Sequence, residues 1–236
     1  MKTRTLYTVT RLQARLDTLP RAETWLALNP VETYPRYLES ARNSALTSWV
    51  RNLSGEDDLH NLERGLREAW RERVDELARW LGPEWSAAMG WLLTLPALAQ
   101  LRAATSGEPP PWLEGDPWLA EQAQALRSAL SRDTPWHERL VAQLPFRGDA
   151  RRRARPLAAK LVAIYGPATP NQLGLEGLRE RYRALDERFR TDFHRHVAKP
   201  QAILAYLCLV ALGMHRLRGE LTSRAALPPT HEEVAS

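Results

Sequence analysis

The densest group of side chains able to do chemistry is Asp57, Asp58, His60 and Glu63. On a helix His60 and Glu63 lie one turn apart, so they would offer two ligands to one metal ion. The simpler expectation is that the acids complement the dipole at a helix N-terminus. His194 and His196 stand in FHRH. Two residues apart on a regular helix they point about 200° apart, so they cannot meet at one ion. His215, in MHRLRG, reads as a packing or capping residue. The chain contains no HExxH, GxSxG, GxxxxGK[ST] or GxGxxG. Cys208 is the single cysteine and lies in the apolar run AYLCLV, which predicts an inert buried thiol. One cysteine also excludes a disulfide framework and a cysteine-based zinc site. The expectation is a protein without catalytic residues, metal or cofactor.

Two other groups suit contact rather than catalysis. Arg151, Arg152, Arg153 and Arg155 put four positive charges into five residues, and these are candidate contacts for an anionic partner. No aromatics are interleaved with them, and no helix-turn-helix or RRM pattern surrounds them, so nucleic acid is not the expected partner. Nine Trp form the second group, four of them (Trp70, Trp80, Trp85 and Trp91) between 70 and 91. Their helical spacing predicts mostly core positions, with Trp85 and Trp91 as candidates to line a partner groove.

These residues must be positioned by helices. The chain has 236 residues, 44% hydrophobic and 26% charged, which is enough to bury a sizeable core. β-branched residues are scarce and period-two alternation is absent, so the expected class is all-α, an irregular array of about 8–10 helices. Tyr34, Leu38, Ala41, Ala45 and Trp49 predict one amphipathic helix over 34–53. Leu59, Leu62, Leu66, Trp70, Val74, Leu77 and Leu81 predict a second, opened by a Ser54/Asp57 capping pair and stopped by Gly82-Pro83. A third begins near Glu84 and is interrupted at Pro96. Shorter helices are expected over 117–131 and 135–145, another over 157–165 behind the basic stretch 147–156, and two long ones over 175–195 and 200–224. The divisions drawn from this pattern are helical modules over 1–104, a linker at 105–116, a second helical part over 117–225, and a flexible tail at 226–236. The longest apolar run, Ala202 to Met214, is shorter than the about twenty residues a membrane span needs, so it predicts a buried helix. The N-terminus lacks the apolar stretch of a signal peptide, and a cytoplasmic chain is expected. The net charge is +5, with thirty Arg and only three Lys among the basic residues, a balance that favours acidic partners.

Two segments look alike. At 91–102, WLLTLPALAQLR has an aromatic-Leu pair followed by Leu-Arg, and at 206–218, YLCLVALGMHRLR repeats that plan. A looser third copy runs from Tyr37-Leu38 to Arg51. The run KPQAILAYLCLVALGMHRLRGEL resembles the closing helix of the C (or d) subunit of V/A-type rotary ATPases, in which a Pro and an apolar A-Y-L lead into a helix with an Arg-containing basic turn. WSAAMGWLLTLPALAQLR would correspond to its middle module. The overlap covers residues 199–221 and, more loosely, 85–102. The chain is shorter than usual members, and Gly213, Met214 and His215 stand where acidic and Asn residues often precede the family's Arg.

The resemblance implies two or three related helical modules and a non-catalytic coupling subunit. Such a subunit links the central stalk to the membrane ring at the cytoplasmic face of the membrane. Arg151 to Arg155 would then face the ring or an acidic stalk subunit, and Arg216 and Arg218 would join Trp85 and Trp91 as partner contacts. The alternative expectation is a helical adaptor or assembly chaperone with a Trp-bearing groove. A weaker alternative is an enzyme of the helical terpenoid-synthase kind using Asp57 and Asp58, whose DDxxD motif the run DDLHN completes only in part.

Overall fold

A computed structural model describes residues 2–98, 100–101, 117, 120–124, 135–165, 175–197 and 199–226. Among them the protein is all-α, with no strand. Its helices are α1 (Lys2–Leu16), α2 (Ala22–Leu28), α3 (Tyr34–Arg42), α4 (Thr47–Val50), α5 (Leu59–Trp80), α6 (Ser86–Leu92), α7 (Trp136–Gln143), α8 (Gly148–Ile164), α9 (Leu175–Arg195) and α10 (Gln201–Ala226). Short 3-10 turns at Pro83–Trp85 and Leu95–Ala97 flank α6. The expected linker at 105–116, most of the helix at 117–131 and the tail beyond Ala226 lie outside the described residues.

α10 is the centre of the molecule. Every residue from Gln201 to Leu212 is buried, because α1, α3, α5, α8 and α9 pack around it. It is the described helix whose length and composition would suffice to cross a bilayer, yet 72% of its most apolar window is buried inside the protein. At roughly 1.5–3 kcal/mol for each large apolar side chain taken from water, this one helix contributes much of the drive to fold. The buried residues from Val9 to Leu221 form one continuous core, so the segments 1–104 and 117–225 share it.

Polar side chains close the helix ends around this core. Asp58 caps α5, its Oδ1 accepting from the Asn61 N–H at 2.7 Å. The Ser54/Asp57 pair forms one residue earlier as a separate turn, with the Ser54 N–H donating to Asp57 Oδ2 at 2.6 Å. Thr8, fully buried, donates to the Trp80 carbonyl at 3.0 Å and so satisfies an orphan acceptor at the end of α5. Arg190 of α9 pairs with Asp186 at 2.7 Å and reaches the carbonyls of Leu16 and Pro20 at 3.4 Å, tying α9 to the end of α1. Lys160 and Asp192 join α8 to α9 at 2.8 Å.

The structure differs from the sequence expectation in two helices. The segment 34–53 is not one helix. It breaks after Arg42, where Ser44 donates to the Ala41 carbonyl at 2.8 Å and Asn43 to the Glu39 carbonyl at 3.2 Å. Side chains of this kind compete with the helical ladder for backbone partners. The helix expected to start at 157 begins instead at Gly148 and runs through Pro156. Proline removes the N–H that would bond the Arg152 carbonyl, and both residues are exposed, so the unpaired acceptor lies on the solvent side of the helix.

Candidate functional site

The second half of α10 changes character. From Gly213 onward the helix is no longer uniformly apolar, and Arg216, Glu220 and Arg224 recur every four residues on one face. Gly219 and Ser223 lie between them and keep that face low. Together they form one wall of an open cleft of about 1040 Å³. Arg179 and Tyr182 of α9 stand beside them. The other side is made by Glu32 and Thr33 ahead of α3, Tyr34 and Arg36 on α3, and Glu56 and Asp57 in the turn before α5. Tyr34 binds that turn to α3, its hydroxyl donating to the Ser54 carbonyl at 2.9 Å. Burial pushes the phenol up to about 12, so it stays a donor at neutral pH.

Two arginines in the cleft pack against aromatic rings but differ in their other partners. The Arg224 guanidinium lies 4.2 Å from the Tyr37 ring centre and is paired: its Nη1 donates to Glu220 Oε2 at 2.7 Å and its Nε to the Val31 carbonyl at 2.8 Å. Arg216 lies 4.5 Å from the Trp25 ring centre and 5.8 Å from that of Tyr182. It has no hydrogen bond or ion pair among the described residues, and its Nε is buried without a partner. Burial pushes its pKa down and Glu220 opposes that shift. A guanidinium remains charged in any such setting. A cation over an indole face gains electrostatic stabilisation from the ring quadrupole, which compensates part of the lost hydration.

Behind the cleft, His215 faces the hollow between α8 and α9. The Tyr182 hydroxyl meets His215 Nδ1 at 2.8 Å, and Tyr165 presents its ring edge-on at 5.4 Å. Burial, followed by the charges of Arg218 and Arg181, lowers the imidazole pKa to about 4, so the ring is neutral at pH 7. With the tyrosine as donor, the remaining ring proton sits on Nε2. Arg218 points to the other side of α10 and pairs with Glu63 of α5. Gly213 permits the closest approach in this region: a Cβ there would stand 2.6 Å from the Trp49 ring.

The residues singled out by sequence are scattered. Arg151, Arg152, Arg153 and Arg155 occupy the exposed first turns of α8. Arg153 reaches Asp149 at 3.7 Å, Arg152 pairs with the same carboxylate, and Arg155 meets Glu138 of α7 at 2.9 Å. Trp85 is a core residue, 2% exposed and edge-on to Phe146 at 5.2 Å, so it presents no face to a partner. Trp91 is half-buried. It stacks on Trp136 and donates to the Trp136 carbonyl at 3.1 Å, while Trp136 Nε1 donates to Thr94 Oγ1 at 3.0 Å. These two indoles join α6 to α7. Of the four proposed contacts only Arg216 lines the large cleft. Cys208 is fully buried against the Leu157 carbonyl, and burial pushes its thiol pKa up. Among the described residues no three His, Cys, Asp or Glu side chains converge on a metal position.

Trp25, Arg179, Tyr182, Glu220 and Arg224 were not singled out by sequence. The four-residue repeat Arg216, Glu220, Arg224 was the signal available for three of the cleft positions. Fixed charges on aromatic platforms, arranged along an open trough, suit the recognition of a charged surface. Comparison of the chain with known protein families, curated proteins and solved structures finds no match.

Proposed function

We propose that the protein is a non-catalytic helical coupling subunit of a V/A-type rotary ATPase, seating the central stalk at the cytoplasmic side of the membrane ring. The observation that carries this reading is α10. The run that resembles the family's closing helix falls, from Gln201 onward, in one continuous 26-residue helix. Its first half is enclosed by helices from both ends of the chain, and its charged second half lines the open cleft. A load applied in that cleft enters the central element directly and spreads into all the helices packed on it. Close-packed interiors transmit strain because they have little free volume to absorb it. In this reading the exposed arginines of α8 face an anionic neighbour, the headgroups or an acidic stalk subunit, where each basic residue near a membrane surface contributes about 1 kcal/mol.

The test is a pull-down of the tagged protein from its own cells in mild detergent, with the co-purifying chains identified and counted by mass spectrometry. Recovery of rotary ATPase stalk and ring subunits in fixed ratio is expected. Recovery of an unrelated soluble protein without ATPase subunits overturns the reading in favour of a helical adaptor.

A further inference from the structure

Arg216 is a cation of the cleft to which the described residues offer no hydrogen bond or ion pair. Arg224 spends its donors on Glu220 and Val31. Arg216 is clamped by Trp25 and Tyr182 at the same wall and bonds to nothing among the described residues. A guanidinium packed against two rings has lost rotamer freedom before any ligand arrives, which lowers the cost of a bidentate bond to a planar anion. Arg179 lines the same side from α9.

The charges around it select the anion. Glu220 stands one turn away, and Glu32, Glu56 and Asp57 line the same cleft. Two of these, Glu32 and Glu56, have no ion pair among the described residues. The same lining carries the guanidiniums of Arg36, Arg179, Arg216 and Arg224, so it is balanced in charge and matches a ligand bearing both signs better than a doubly charged phosphate. A single carboxylate followed at a short distance by a cation meets Arg216 on one side and the free acids on the other. Length and opening also fit a polypeptide: the cleft runs along the face from Arg216 to Arg224, two turns of α10, and is floored by Gly219 and Ser223.

We propose that the cleft docks a helical segment of a protein partner that places a Glu or Asp carboxylate on Arg216 and a Lys or Arg near Glu32 and Glu56. This deepens the reading of the cleft as the partner seat, but its test needs no ATPase subunit. The probe is a 15-residue alanine-based helical peptide with one Glu and a Lys four residues on, titrated to millimolar concentration against the isolated protein. Indole N–H signals in NMR spectra follow the binding. The Glu peptide is expected to bind at least about tenfold more tightly than its Gln counterpart, since charge-assisted bidentate bonds are the strong ones. Arg216→Gln should reduce that preference to within about twofold.

Gly219→Phe is the second variant. A Cβ at Gly219 meets nothing within 4 Å, so the side chain enters the cleft without disturbing the fold. It should abolish binding with the thermal midpoint unchanged or raised. The inference is overturned if neither peptide binds, if both bind equally, if the preference survives Arg216→Gln, or if inorganic phosphate displaces the Glu peptide at comparable concentration. A failed pull-down with a positive peptide result would remove the ATPase reading and leave this site standing.

Discussion

Arg151, Arg152, Arg153 and Arg155 crowd the first turns of α8, whereas Arg216, Arg218 and Arg224 are spread over about two turns of α10. The α8 group is exposed: the side chains of Arg152, Arg153 and Arg155 are 81%, 56% and 62% accessible, and their partners are neighbouring acids, Asp149 and Glu138. The α10 group is half-buried, each cation set on a ring or against a carboxylate from a distant part of the chain. Density of charge in the sequence marks the first group; burial marks the second. An exposed arginine is screened by water and salt and is weakly constrained. A half-buried one is oriented by its neighbours and has less water to shed when a ligand binds.

The sharpest way to break this contrast is to remove the ring under Arg216. Trp25 is 6% exposed and packs in the core beside α10. Trp25→Ala should cost about 4 kcal/mol, the usual range for deleting a buried Trp, and should free Arg216 to move as the α8 arginines do. Urea unfolding measures the loss. A cost below about 1 kcal/mol would mean that Trp25 neither packs tightly nor holds the guanidinium.

Acid offers a second probe, because His215 is half-buried beside the α10 group and hydrogen-bonded to Tyr182. Its folded-state pKa of about 4 is below its ordinary value near 6.5. Between these values the unfolded chain binds a proton that the folded one refuses. The stability from keeping the ring neutral is therefore complete above about pH 6.5 and is lost as the pH falls towards 4. Going from pH 7.5 to 4.5 should remove roughly 2–3 kcal/mol through this residue. His215→Gln keeps a hydrogen-bonding partner for Tyr182 but does not titrate. The variant should lose less stability than the parent over the same interval, and identical pH profiles would show that His215 does not couple to folding.

What the sequence made legible follows the range of the interactions involved. The helix Leu59–Trp80 was readable because its apolar residues recur every three or four positions and its cap, Asp58, is adjacent in the chain. The buried helix Gln201–Ala226 was readable from an uninterrupted apolar run. The break after Arg42 was not, since Ala45 and Trp49 continue the apolar spacing while Asn43 and Ser44 decide the backbone through their own hydrogen bonds. Helical spacing gives Trp85 a face and not what covers it; Phe146, sixty-one positions away, covers this one. The cleft was the least legible feature. Its walls come from residues 29–36, 55–57, 178–182 and 216–225, and no local pattern announces that α3 and α9 will both lie against α10.

The smallest expected effect concerns the α8 run itself. Replacing Arg151, Arg152, Arg153 and Arg155 together by Ser removes the ion pairs to Asp149 and Glu138. Exposed pairs of this kind contribute a few tenths of a kcal/mol each, and removing four like charges within five residues relieves some mutual repulsion, so the unfolding free energy should change by less than about 1 kcal/mol. The fold would thus survive with a neutral α8 surface, which makes the variant a clean reagent for contact. If the run faces an anionic neighbour, the yield of co-purifying subunits should fall at physiological salt, and the parent protein should show the same fall when salt is raised, because both changes weaken the same exposed attraction. The α10 contact should resist salt far better, since Arg216 is half-buried between two rings. Unchanged assembly of the four-Ser variant would leave the α8 arginines as solvated surface and assign recognition to the buried group alone.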